Sequence, residues 1–177
     1  MELYVVRHGQ TEGNVNRIMD GIRDIPINEN GRTQALNAKE VLKDVEFDMV
    51  ICSPLIRTRQ TMEIININNC PVIFEKRIME RDCGEFMGQS FDSLDRDLYW
   101  NYLDPTKYEK AELIKDFFKR IYDYLDYIKD EYRDKKILLV THGGVSKAIH
   151  CYFNGIPVDG NLRHIGLNNC EVAKYNL

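Results

Sequence analysis

Apolar residues fall along this chain in two kinds of pattern. Short unbroken runs alternate with longer stretches whose apolar positions recur every three or four residues. Leu3-Tyr4-Val5-Val6 and Ile137-Leu138-Leu139-Val140-Thr141 are unbroken, and 47–52 and 71–74 are shorter versions. Runs without polar alternation read as strands covered on both faces, as in a parallel sheet. Between them, Ala35, Leu36, Ala38, Val41 and Leu42 predict the buried stripe of a helix over 32–43, entered through Asn30-Gly31. Ser53-Pro54 predicts another, with serine as N-cap and proline in the first turn, running to about Ile67. Leu113, Phe117, Ile121, Leu125 and Ile128 predict the longest helix, over 109–133, after a break at Pro105. The last helix covers 145–153 and is closed by Asn154-Gly155-Ile156-Pro157.

The remaining segments are polar or mixed. Residues 14–28 and 75–89 carry glycines and charge and read as loops over the strand ends. Residues 91–104 are weakly helical. Residues 162–167 and 171–175, around Asn168-Asn169, read as a pair of short edge strands. Strands alternating with helices give an α/β fold. No repeat, low-complexity tract or linker divides the chain, so one domain over 1–177 is expected.

Two of the predicted strands end in residues that a sheet interior would reject. The first stops at Arg7-His8-Gly9 and the fourth at His142-Gly143-Gly144. Open α/β sheets place their ligands at the carboxyl ends of strands. The third cationic candidate, Arg57, follows the second strand, and helix starts after Ser53 and Gly143 would add positive potential. Arg7, His8, Arg57 and His142 together describe a pocket for a compact anion. Phosphate fits best, because guanidinium groups match its oxygens in pairs. A neutral imidazole in such a pocket can attack phosphorus, and the remaining cations can stabilise the transferring group. His150 and His164 read as structural.

Bulk properties narrow the rest. Apolar residues make up 44% and charged residues 29%, ordinary for a soluble domain. A net charge of -4 disfavours nucleic acid as a partner. No apolar stretch approaches membrane-spanning length, and Arg7 interrupts the first run too early for an export signal. Five cysteines without a CxxC pair read as free thiols in a reducing, cytoplasmic setting. A metal hydrolase built on His8, His142 and a carboxylate would set two arginines against the ion, and no HExxH motif is present. No GxxxxGK[ST] phosphate loop occurs either. No cofactor and no metal are expected.

Residues Arg7-His8-Gly9-Gln10-Thr11-Glu12-Gly13-Asn14 resemble the signature of the histidine phosphatase superfamily, the phosphoglycerate-mutase-like family. The resemblance continues through Gly21-Ile22-Arg23-Asp24-Ile25-Pro26-Ile27-Asn28-Glu29-Asn30-Gly31 and Gln34-Ala35. It runs on through Cys52-Ser53-Pro54-Leu55-Ile56-Arg57-Thr58-Arg59-Gln60-Thr61, Met79-Glu80-Arg81-Asp82-Cys83-Gly84 with Gly88, and Val140-Thr141-His142-Gly143-Gly144. These segments stand in family order. The resemblance implies a three-layer α/β/α fold with a mostly parallel sheet, and phosphoryl transfer through His8. It implies that Arg7, Arg57 and His142 hold the phosphoryl group, with Asn14 and the Gly143 amide beside it and Thr11 and Gly21 in the substrate-binding set. Glu80 falls on the family's proton donor; the residues themselves leave Glu80, Asp82 and Glu85 open.

Two departures, Gly13 and Arg23, stand where many family mutases carry tryptophan. Family mutases also carry a basic added segment before the second histidine, whereas 89–136 is mixed in charge. The resemblance is therefore to the compact phosphatases, among them α-ribazole phosphatase and broad-specificity enzymes. It implies a metal-independent phosphomonoesterase acting on a small phosphate ester, as monomer or homodimer. The alternatives are a cofactor-dependent phosphoglycerate mutase and a non-catalytic phosphate-binding module; the module would lack a core residue, and Arg7, His8, Arg57, Glu80 and His142 are all present. Seven of the ten tyrosines lie within 99–132, as helix-packing residues or as a platform over a ring.

Overall fold

A computed structural model describes residues 1–66, 68–104, 108 and 110–177. Its strands are β1 (Glu2–Arg7), β2 (Met49–Cys52), β3 (Val72–Phe74), β4 (Lys136–Thr141) and β5 (Val172–Asn176). Its helices are α1 (Glu12–Val15), α2 (Glu29–Leu42), α3 (Ile56–Ile65), α4 (Arg96–Tyr99), α5 (Ile114–Glu131) and α6 (Gly143–Asn154). The sheet order is β3-β2-β4-β1-β5, parallel throughout except for β5, which runs antiparallel to β1.

Side-chain alternation along the buried strands makes this a three-layer α/β/α fold. On β4, Ile137 and Leu139 face α5 and α6, joined by Phe117, Phe118, Ile121, Leu125 and Ile149. Leu138 and Val140 face the other way, towards Ala35, Ala38 and Leu42 of α2 and Met62 and Ile65 of α3. The unbroken apolar runs of the sequence reflect this covering of both faces. Register then brings the strand ends level: Arg7 pairs with Thr141, and Cys52 with Val140. The next residues of the three strands, His8, His142 and Ser53, emerge side by side.

Several local expectations change. Helix α2 starts earlier than Asn30-Gly31, because Asn28 caps it by accepting from the Gly31 amide at 2.8 Å. Its buried stripe is narrower, and Leu36 and Val41 are exposed. Ser53 does not cap α3, which begins at Ile56 with Asp24 accepting from its first amide; the Ser53 hydroxyl is engaged by His142 instead. The residues Ile67, Pro105 and Glu109 themselves lie outside the described residues, but α3 already ends at Ile65. The long helix starts at Ile114, later than expected, with Leu113 as its N-cap rather than part of its buried stripe.

No edge strand forms over 162–167. The carbonyls of Leu162, Arg163 and Ile165 all turn onto the ammonium of Lys147, and that of Leu167 onto Arg7, so they cannot serve a ladder. Tyr99, Tyr108 and Tyr124 are buried in the core and Tyr102, Tyr122 and Tyr132 pack against it, which is the helix-packing role.

Candidate active site

His8 is the first residue beyond β1. Its ring is almost fully buried, with Nδ1 2.8 Å from the Gly9 carbonyl oxygen. A carbonyl can only accept, so Nδ1 carries the hydrogen and Nε2 keeps its lone pair. Burial, with Arg57 and Arg7 close by, holds the His8 pKa well below the ordinary imidazole range. The ring is therefore neutral at pH 7. Asn169 donates to the His8 carbonyl oxygen at 2.9 Å and so fixes the backbone at this point.

His142 stands behind it, the two ring centroids 5.3 Å apart. Arg57 Nε donates to His142 Nδ1 at 3.2 Å, which makes Nδ1 an acceptor and places the hydrogen on Nε2, 2.7 Å from Ser53 Oγ. Burial and the adjacent Arg57 keep this imidazole neutral too. The Arg57 guanidinium also donates to the carbonyls of Gly21 and Arg23, each at 2.7 Å. That leaves two of its five N–H groups for a ligand. Arg7 donates to the Leu167 carbonyl at 2.9 Å, while its buried Nε has no acceptor among the described residues.

Of Glu80, Asp82 and Glu85, Glu80 alone lines the cleft, although it also borders the depression that Asp82 lines. Glu80 lines the cleft beside His8, accepting from the Arg81 amide at 2.9 Å and the Gly144 amide at 3.0 Å. Asp82 faces a neighbouring depression and accepts from the Gly84 amide, and Glu85 pairs with Lys110 on the surface. Gly144 is required here by proximity: a Cβ would lie 2.3 Å from Glu80 Oε1 and 2.8 Å from the Trp100 ring. Gly13 answers to a similar constraint, since a Cβ there would lie 1.9 Å from the Asp20 carboxylate, which also accepts from Thr11. The Arg23 side chain is largely exposed, and only its carbonyl reaches Arg57.

The cleft has a volume of about 410 Å³ and is lined by Arg7, His8, Asn14, Gly21, Arg57, Glu80 and Gly143 from the expected set. Thr11 and His142 do not line it. Thr11 caps α1 by accepting from the Asn14 amide, and Asn14 Oδ1 accepts from Thr11 and Asn169, leaving its amide as a donor.

Sequence reasoning missed Lys147, Arg96, Trp100 and Arg163, which line the same cleft, and it assigned His164, also in the wall, a structural role. Lys147 had one signal, its place one turn beyond Gly143 on the helix face that meets the cleft. Its ammonium lies 5.3 Å above the Trp100 ring, and burial together with Arg7 brings its pKa down to about 8. Among the described residues, no group of three or more His, Cys, Asp or Glu side chains is arranged to hold a metal ion.

The family model described as histidine phosphatase superfamily (branch 1) matches residues 3–177. The chain belongs to the histidine phosphatase superfamily. Within it, the chain resembles the compact phosphatases. It is 32% identical over 152 residues to an uncharacterized phosphatase, PhoE, of Bacillus subtilis, covering 85% of this chain and 76% of that protein. Bacillus stearothermophilus YhfR superposes with a TM-score of 0.86 at 29% identity, covering 98% of this chain and 89% of the other. The α-ribazole phosphatase of Shigella flexneri superposes at 0.83 and 25% identity, covering 98% and 89%. In this histidine phosphatase the strand-end histidines, the arginines and Glu80 converge on one cleft wall or directly behind it.

Proposed function

We propose that the protein is a phosphomonoesterase that works through a phosphohistidine on His8. The observation that carries this reading is the His8 ring itself: neutral, its Nδ1–H on the Gly9 carbonyl, its Nε2 free between two arginines. Nε2 attacks phosphorus as the bond to the alcohol oxygen breaks. The departing oxygen takes a proton from the Glu80 carboxyl, and the resulting carboxylate takes one from the water whose oxygen bonds phosphorus as the P–N bond to His8 breaks. Arg7 and the two free N–H groups of Arg57 stabilise the equatorial oxygens, with the Asn14 amide and the Gly143 N–H as further donors. Both ring nitrogens of His142 are engaged by Arg57 and Ser53, so it acts in this set by fixing the Arg57 plane. Thr11 supports Asn14, and Gly21 holds Arg57 by its carbonyl.

A cleft of about 410 Å³ suits a small ester, and the net charge of -4 disfavours nucleic acid. No helix among the described residues is long and apolar enough to cross a membrane, and all five cysteines are free thiols, which suits a reducing cytoplasm. The whole chain is taken as one catalytic unit, a monomer or homodimer.

Rapid quenching with labelled substrate should trap an acid-labile, base-stable adduct that is absent in His8→Ala. Undiminished turnover in that variant would overturn the mechanism. Given 3-phosphoglycerate with catalytic 2,3-bisphosphoglycerate, inorganic phosphate should appear faster than the isomer; the reverse order would make the protein a mutase.

A further inference from the structure

One arginine in the cleft wall makes no ion pair of its own among the described residues. Arg96 opens α4 and lies with its guanidinium 5.2 Å over the Phe91 ring. Its Nε is buried and has no acceptor among the described residues. Two carboxylates stand nearby, and other groups already occupy both. Asp97 accepts from Arg163 at 2.7 Å and from the Asn161 side chain at 2.9 Å, and Asp92 pairs with Arg17 at 2.5 Å. Burial, then Arg163 and Arg17, push the Arg96 guanidinium below its ordinary value, outweighing the opposing pull of Asp92 and Asp97. A partly buried cation with an unmet donor and like charges beside it is unfavourable until an anion arrives.

Arg163 and His164 line the same cleft from the segment after α6, which Lys147 holds in place through three carbonyls. Besides the positive region formed by Arg7 and Arg57, the cleft thus has a second one, where Arg96 and Arg163 stand against the single carboxylate of Asp97.

We propose that Arg96, with Arg163 and His164 beside it, is a subsite for a second anionic group, and that the substrate is a small phosphomonoester carrying a carboxylate or a further phosphate on its leaving group. The proposal rests on the phosphatase reading above. With Nε buried, the two Nη groups of Arg96 are the donors for an anion's pair of oxygens, a pairing that carboxylate and phosphate share. No basic segment is needed for this: one uncompensated arginine suffices, which the mixed charge of 89–136 conceals.

Two substrate pairs test it. 3-Phosphoglycerate and glycerol 3-phosphate differ in a carboxylate against a hydroxymethyl group; 1,3-propanediol bisphosphate and propyl phosphate differ in a second phosphate. Within at least one pair, kcat/KM should favour the doubly anionic ester by roughly tenfold or more, as for one charged hydrogen-bonded contact. In Arg96→Gln that ratio should fall towards unity, with Arg96→Lys between the two. The pair that shows the preference identifies the anion. Ratios near unity in the wild type, or a ratio unmoved in Arg96→Gln, overturn the subsite while leaving the phosphatase intact. If none of the esters is hydrolysed, the phosphatase reading fails. Calorimetric Kd values for 3-phosphoglycerate and glycerol 3-phosphate, and for the bisphosphate and propyl phosphate, then decide the subsite. A preference lost in Arg96→Gln upholds it, and equal Kd values within both pairs refute it.

Discussion

Glu80 is held by two backbone amides, one of them in the first turn of α6. Those bonds aim its carboxyl into the cleft, whereas Asp82 and Glu85 are spent elsewhere. A general acid matters in proportion to how poorly the leaving group departs without a proton. Glu80→Gln should therefore slow hydrolysis of an alkyl phosphate by roughly 10²–10⁴-fold. Phosphohistidine formation from p-nitrophenyl phosphate should suffer far less, and a burst of p-nitrophenol should precede a slow steady state. Asp82→Asn should show no such dependence on the leaving group. Equal losses on both substrates without a burst would make Glu80 an orienting residue instead.

At the scale of elements, Lys147 ties α6 to the segment that follows it. Its ammonium satisfies three carbonyls of that segment, and two residues further on Leu167 supplies the acceptor for Arg7. Lys147→Met keeps the bulk and removes the donors, stranding carbonyls at a cost of about 1–3 kcal/mol. We expect a lower Tm, faster amide exchange confined to 162–168, and a larger rise in KM than fall in kcat. Unchanged exchange in that segment would show that β5 and the Asn168–Glu171 contacts hold it without the lysine.

For the whole molecule, the two buried histidines link stability to pH. Both have folded pKa values well below the ordinary 6.5, chiefly from burial and then from Arg57. The unfolded chain consequently binds more protons below about pH 6.5, so stability is full above that pH and lost as pH falls towards the depressed folded values. The slope approaches about 1.4 kcal/mol per pH unit for each proton taken up on unfolding. Denaturation midpoints measured between pH 7 and pH 5 should fall steeply for the wild type and less steeply for His142→Asn. Parallel profiles would show that other groups govern the acid limb.

The strands were legible because a strand covered on both faces must be apolar at every position, and β1 and β4 read that way directly. His8 and His142 were legible for the converse reason: a polar residue ending such a run has to face a ligand or another polar group. The edge strand expected over 162–167 was not there to be read, since its apolar residues could equally line a loop whose carbonyls serve a buried lysine. Ser53 looked like a helix cap because its spacing suits one, and only the level strand ends bring it to His142. Glu80 was indistinguishable from Asp82 and Glu85 along the chain, because side-chain direction in a loop depends on what packs against it. Arg96 and Arg163 meet only in the folded cleft. Strand positions and the strand-end pocket thus followed from local pattern, while the strand order, which loop carboxylate meets the Gly144 amide and the second positive region came from contacts between residues far apart in sequence, which no local period encodes.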